Sequence, residues 1–175
     1  MAILDFEHMP RVVSEAREQD LRGEGSYSLL FEMLVRFSVG GVEIFRLPQE
    51  LGGRACAWVQ LHEFAAYGGL ALRAAAREGH ARYNFIDTAD HVDFQVEGDQ
   101  VAVSSTMQPS PGRAGYHEIE AAWRAFENRV RAYLLQETPE LAQNPFWGAW
   151  LRGARVEDLP PYFGPREGET GPLEH

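Results

Sequence analysis

The chain has 175 residues, an ordinary apolar fraction of 45 % and a formal net charge of −10, from 26 carboxylates against 16 cationic side chains. That length suits one domain with a real core, and the acidic excess argues against nucleic acid as a partner while favouring a basic protein or plain solubility. All 16 cations are Arg and Lys is absent, which excludes lysine Schiff-base chemistry and the P-loop lysine.

Met1–Pro10 lacks the basic start and apolar core of a signal peptide, and Ala2–Glu7 alternates enough for an edge strand. Pro10 fits the first position of a helix running to Asp20, with Val12, Val13 and Ala16 on one side and Gly23 beyond its end. Tyr27–Val39 reads as a strand with Leu29, Phe31, Met33, Val35, Phe37 and Val39 on one face. Gly40-Gly41 is a tight turn, and Val42–Leu47 returns until Pro48 ends it. Cys56, the single cysteine, excludes an intrachain disulfide and a cysteine-cluster zinc site and reads as a small buried thiol.

Ala57–Glu78 fits a helix. Trp58, Leu61, Ala65, Leu72 and Ala75 form its stripe, and Gly79 is a natural residue to follow its C-terminus. Gly68-Gly69 in the middle points to close packing against the sheet or to a kink near Tyr67. Ala81–Met107 reads as a three-strand antiparallel meander. Its Gly98-Asp99 hairpin pairs Val96 with Val101, Phe94 with Val103 and Val92 with Ser105, so all the apolar members share a face.

Gln108–Gly115 is a Pro/Gly/Ser loop by composition. The best helical pattern follows over His117–Gln136, with Ile119, Ala122, Trp123, Phe126, Val130, Tyr133 and Leu134 on one face. Glu120–Arg124 and Glu127–Arg131 are i,i+4 pairs expected on its outer side. Thr138-Pro139-Glu140 and Asn144-Pro145 start two short helices, the second ending at Trp150 or Leu151. Residues 1–153 are therefore expected to form one domain and 154–172 an extended tail. Leu173-Glu174-His175 reads as the remnant of an expression tag.

The element order predicts an α+β two-layer sandwich, an antiparallel sheet of about five strands with two main helices on one face. No run approaches the 18 or so apolar residues of a membrane helix, so a cytoplasmic protein with no membrane partner is expected.

Motifs for chemistry are sparse. His62-Glu63 begins HExxH, but the second His is replaced by Ala66. Asp87, Asp90, His91 and Asp93 cluster at a turn without calcium-loop spacing. His117, Glu118 and Glu120 fit helix N-terminal electrostatics as well as acid/base work. Ser104-Ser105-Thr106 has no base beside it in the pattern. No catalytic residue, metal ligand or cofactor is assigned. Aromatics such as Phe64, Tyr67, Phe85 and Trp123 suit either a core or a ligand pocket between helix and sheet.

Several patterns belong together: Trp58-Val59-Gln60-Leu61, Phe85-Ile86-Asp87, Gly98-Asp99-Gln100-Val101-Ala102-Val103-Ser104-Ser105 and Ala122-Trp123-Arg124-Ala125-Phe126. Over about residues 27–136 the chain resembles a family of small uncharacterised bacterial domains from high-GC organisms, some of which are similar to immunity proteins of toxin systems. The Lys-free composition agrees with a GC-rich genome. The resemblance carries over no functional residue.

The function expected is non-catalytic protein binding through an acidic sheet face. Tyr83–Gly112 contains no Lys or Arg yet carries Asp87, Asp90, Asp93, Glu97 and Asp99. These would steer a basic partner, with Trp147, Trp150 and Tyr162 as apolar anchors. A homodimer through the same aromatics is the nearest rival. The alternative from another class is a small-molecule-binding protein or hydrolase with a cleft between helix and sheet, built on His62 with Glu63 or on the Asp87–Asp93 turn.

Overall fold

Period-2 alternation lays out two antiparallel sheets in the computed structural model, which describes residues 1–9, 31–85 and 88–159. The first sheet holds β1 (Ala2–Phe6), β2 (Glu32–Val39), β3 (Val42–Glu43) and β4 (Ala57–Gln60). Strand β2 is its spine. Val35 pairs with Phe6 of β1 and Ala57 of β4, and Val39 with Ala2 of β1 and Val42 of β3. Strands β3 and β4 therefore follow one another along the side of β2 opposite β1. Met33, Val35, Phe37 and Val39 face the core, all fully buried. Gly40 and Gly41 both take positive φ, the requirement of a type I′ hairpin turn.

The second sheet is a meander of β5 (His80–Asn84), β6 (His91–Glu97), β7 (Gln100–Ser105) and β8 (Gln108–Gly115). Its central register is the one the pattern predicts: Val92↔Ser105, Phe94↔Val103 and Val96↔Val101. Gly98 alone of the turn pair has positive φ, which fits a type II′ turn. Strand β8 replaces the loop expected from composition. Pro109 and Pro111 are tolerated there because β8 is an edge strand whose ladder with β7 is irregular.

Helix α1 spans residues 61–78. It comprises an opening turn Leu61–Glu63, a π-helical turn Phe64–Gly68 and a regular helix Gly69–Glu78. Helix α2 is Tyr116–Glu137 and α3 is Trp147–Leu151. Gly79 closes α1 at φ 85°, its N–H donating to the Ala75 carbonyl. Asn144 caps α3, its Oδ1 accepting the N–H groups of Phe146 and Trp147 at 3.0 and 2.8 Å. Thr138 does not cap; its hydroxyl donates back to the Leu134 carbonyl at 2.8 Å.

One core joins both sheets and all three helices. Its centre is aromatic. Trp123 meets Phe37, Phe64 and Phe94 at ring separations of 5.5, 5.1 and 5.8 Å, and its indole N–H donates to the Ala65 carbonyl inside the π turn at 2.9 Å. Val92, Phe94, Val101, Val103, Phe126 and Val130 are buried in the same cluster, with Val96 half-buried against it.

The α+β class holds, with antiparallel sheets throughout. The single sheet of about five strands is corrected to two sheets of four. After Glu43 the chain leaves the ladder and drives Ile44 and Phe45 into the core, fully buried. The sheets then meet by packing: Ser105 donates to the Ile44 carbonyl at 2.6 Å, and Gly40 and Gly112 let the turn after β2 lie against β8. Ala57–Gln60 is a strand, not a helical turn, so Trp58 leaves the predicted stripe and is 40 % exposed. Residues 154–159, expected in a tail, pack back, with Val156 buried and Glu157 paired to Arg73 at 2.8 Å. The helix predicted from Pro10, and residues 160–175, lie outside the described residues.

Candidate functional site

Strand alternation sends His80, Arg82 and Asn84 of β5, His91, Asp93, Gln95 and Glu97 of β6, and Arg113 of β8 to the outer face of the second sheet. Most of them are exposed. Of the acidic residues singled out in the sequence, Asp93 and Glu97 lie on this face, and both are matched by Arg. Arg82, directly opposite Asp93, grips it through two hydrogen bonds of 2.8 and 3.1 Å. His80 and His91 approach the same carboxylate at 3.3 and 3.2 Å. Partial burial works to raise the Asp93 carboxyl. The Arg82 and His80 hydrogen bonds and neighbouring positive charge outweigh it and hold the group below its usual range.

Arg113 pairs with Glu97 at 3.0 Å. The two guanidiniums belong to the residues immediately before and after the cation-free stretch, so counting charge along the chain misses what the sheet places side by side. Asp90 accepts the Thr106 hydroxyl at 2.7 Å. Asp99 is exposed at the β6–β7 turn, where its carbonyl accepts the Tyr116 N–H at 3.1 Å. Asp87 and Tyr162 lie outside the described residues.

Trp147 and Trp150 are buried, which corrects their assignment as surface anchors. The Trp150 indole donates to Glu127 at 2.9 Å and the Arg131 guanidinium lies 4.8 Å from its ring centroid. The Glu127–Arg131 pair, expected on the outer side of α2, is thus largely enclosed beneath α3.

The expected His62–Glu63 unit is split. His62, 2 % exposed, meets Trp147 and Phe31 edge-on at 4.6 and 5.7 Å. Its ring nitrogens hydrogen-bond to no described residue, and burial pushes its pKa down to about 3. It is a neutral core side chain. Glu63, 1 % exposed, instead lines a groove of about 400 Å³ between α1 and β5, with Tyr67, Leu70, Ala74, Arg82 and Tyr83. A smaller cavity of about 30 Å³ also touches Glu63 and Tyr83 and is walled by Trp58 and Phe85. Of the aromatics read as core or pocket, Phe64, Phe94, Trp123 and Phe126 are therefore core, whereas Tyr67, Phe85 and Trp58 border cavities. Tyr83 is a lining residue that the sequence reading gave no separate role. Its place in a strand beside a helix was the available signal.

The remaining motifs are structural. The His117 side chain is 95 % exposed, Glu118 pairs with the N-terminal amine at 2.8 Å, and Glu120 pairs with Arg124 at 2.7 Å. Ser105 is spent on the Ile44 carbonyl. Among the described residues no group of three or more His, Cys, Asp or Glu is arranged to hold a metal ion. No helix among them is long and apolar enough to cross a membrane.

Compared with protein-family models, curated proteins and solved structures, the chain matches none.

Proposed function

We propose that the chain is a binding protein that holds a protein partner against the outer face of the second sheet. The observation that carries this reading is the face itself: four strands wide, open to solvent, with charged side chains preset by cross-strand pairing. Held side chains lose less rotamer freedom when a partner docks. The net charge of −10 favours a basic partner at long range. The matched pairs Arg82–Asp93 and Arg113–Glu97 set register more than attraction. The resemblance to immunity-type domains favours the same reading, with a cytoplasmic partner that acts on nucleic acid. The separation of His62 from Glu63 removes one acid/base pair from the enzymatic alternative.

The test is association of the full chain with a purified candidate partner, the gene product encoded beside it, measured at low and high salt. The wild-type chain is compared with Asp93→Arg/Glu97→Arg. The expected result is a slower on-rate at high salt, loss of binding in the double variant, and hydrogen-exchange protection over β6 and β7 in the complex. Binding that ignores the double reversal and leaves β6 unprotected refutes the proposal. A salt-independent dimer of this chain through the same face would replace it.

A further inference from the structure

We propose that β5 is a docking edge for an extended peptide segment of a partner chain, one with apolar side chains at alternate positions, which joins the second sheet as a fifth strand. This inference does not rest on the outer-face reading: the face acts through side chains, the edge through main chain.

Hydrogen-bond parity defines the edge. The Phe85 N–H donates to the Asp90 carbonyl at 3.0 Å and the Val96 N–H to the Gly79 carbonyl at 2.8 Å. With the register Ala81↔Phe94 and Tyr83↔Val92, residues 79, 81, 83 and 85 turn their main-chain groups to β6. The intervening His80, Arg82 and Asn84 turn theirs away from it. Among the described residues no strand pairs with that side, since β5 ends the order β5-β6-β7-β8. The other edges are blunted. By the same parity Leu4 and Phe6 of β1 face outward, and there Arg129 donates to the Leu4 carbonyl at 2.6 Å while Asp5 accepts the Phe6 N–H at 3.0 Å. Strand β8 carries Pro109 and Pro111 and lies against the turn after β2. Strands β3 and β4 are two and four residues long. Such devices protect sheet edges from pairing. Strand β5 has five residues, no Pro and a regular ladder.

The ground beside this edge selects the occupant. The groove of about 400 Å³ is lined by residues 81–84 on the strand side and by Leu70, Ala71 and Ala74 on the helix side. A strand added at the ladder spacing of about 4.8 Å sends alternate side chains to opposite faces of the sheet. One set turns inward to the Leu70, Ala71 and Ala74 wall, whose small apolar residues leave it room. The other set lies beside His80, Arg82 and Asn84, all exposed. In this mode main-chain hydrogen bonds supply affinity and the alternate side chains supply specificity. A second copy of this chain fits poorly. The antiparallel β5–β5 register that uses all three outward residues sets Arg82 opposite Arg82 of the other copy, and like charges directly opposed repel.

The test starts from amide hydrogen exchange in the full chain. In the free protein the Arg82 and Asn84 amides should exchange at least about tenfold faster than those of Ala81 and Tyr83. Three end-blocked peptides of sequence Arg-Thr-X-Thr-X-Thr-Arg, with X as Val, Leu or Phe, are then titrated. At least one should bind and slow exchange at Arg82 and Asn84. N-methylation of its three central residues keeps charge and side chains and should weaken it at least about tenfold. Asn84→Pro removes an outward donor without touching the ladder to β6 and should weaken binding about fivefold or more. Ala74→Trp should do the same by filling the groove from its wall. If Asn84→Pro unfolds, the N-methylated peptide and Ala74→Trp still decide. Arg82 and Asn84 amides already protected in the free chain would mean that the edge is covered from within, and protection that grows with protein concentration would make a second copy the occupant. Either result, no binding of any of the three peptides, or equal binding of the N-methylated form would overturn the proposal.

Discussion

At the scale of single residues, His62 makes a prediction whose sign follows from where its proton goes. Its folded pKa of about 3 lies below the ordinary 6.5 because burial between Trp147 and Phe31 disfavours the charged ring. The unfolded chain therefore binds a proton more readily than the folded one. The contribution of neutral His62 is fully present above pH 6.5 and is lost progressively as pH falls toward about 3. At about 1.4 kcal/mol per pKa unit the effect spans several kcal/mol. Denaturant unfolding followed across that window should show stability falling with pH in the wild type and a visibly flatter profile in His62→Leu. Identical slopes would mean that the ring is charged or hydrated in the fold. Nothing in the sequence distinguishes this imidazole from a solvated one; its neighbour Glu63 made it look chemical, and only α3 folding back with Trp147 shows it to be core.

At the scale of elements, α1 sets helix propensity against packing. Gly68 lies in a helix interior, where Ala would be favoured by roughly 1 kcal/mol. A Cβ there would stand 2.4 Å from Cζ2 of Trp123, itself wedged among Phe37, Phe64 and Phe94. Packing should win. Gly68→Ala is expected to destabilise by about 1–3 kcal/mol, read from the urea midpoint, whereas a stabilised variant would show that Trp123 can yield. The glycine pair thus serves the close approach anticipated in the sequence, but toward the tryptophan of α2 and not toward a sheet. The same helix shows where periodicity fails. Ala57–Gln60 fits a helical stripe and a short strand equally well, and its pairing with residues Glu32–Val35, more than twenty positions earlier, decides for β4.

At the scale of the whole molecule, the junction of the two sheets depends on backbone meeting backbone. A Cβ on Gly112 would lie 2.2 Å from the Val39 carbonyl oxygen, and neither side can swing away as a flexible side chain could. Gly115, three residues later in the same strand, has open space around it at φ −61°. Gly112→Ala should therefore cost about 1–3 kcal/mol or more and Gly115→Ala under about 1 kcal/mol, both measured by chemical denaturation. Equal costs would mean that the sheets are not held at that contact.

By itself the sequence determined the local elements whose pattern repeats: the β6–β7 hairpin with its register, helix α2 with its buried stripe from Ile119 to Leu134, and the Gly40-Gly41 and Gly79 turns. These follow from periodicity and φ preference, which act over a few residues. The tertiary structure decided the division into two sheets, the burial of Trp147 and Trp150, the separation of His62 from Glu63, and the matching of Asp93 and Glu97 by Arg82 and Arg113. Each of these depends on which groups come within a few ångströms after the chain has doubled back, and spacing along the sequence carries no record of that distance.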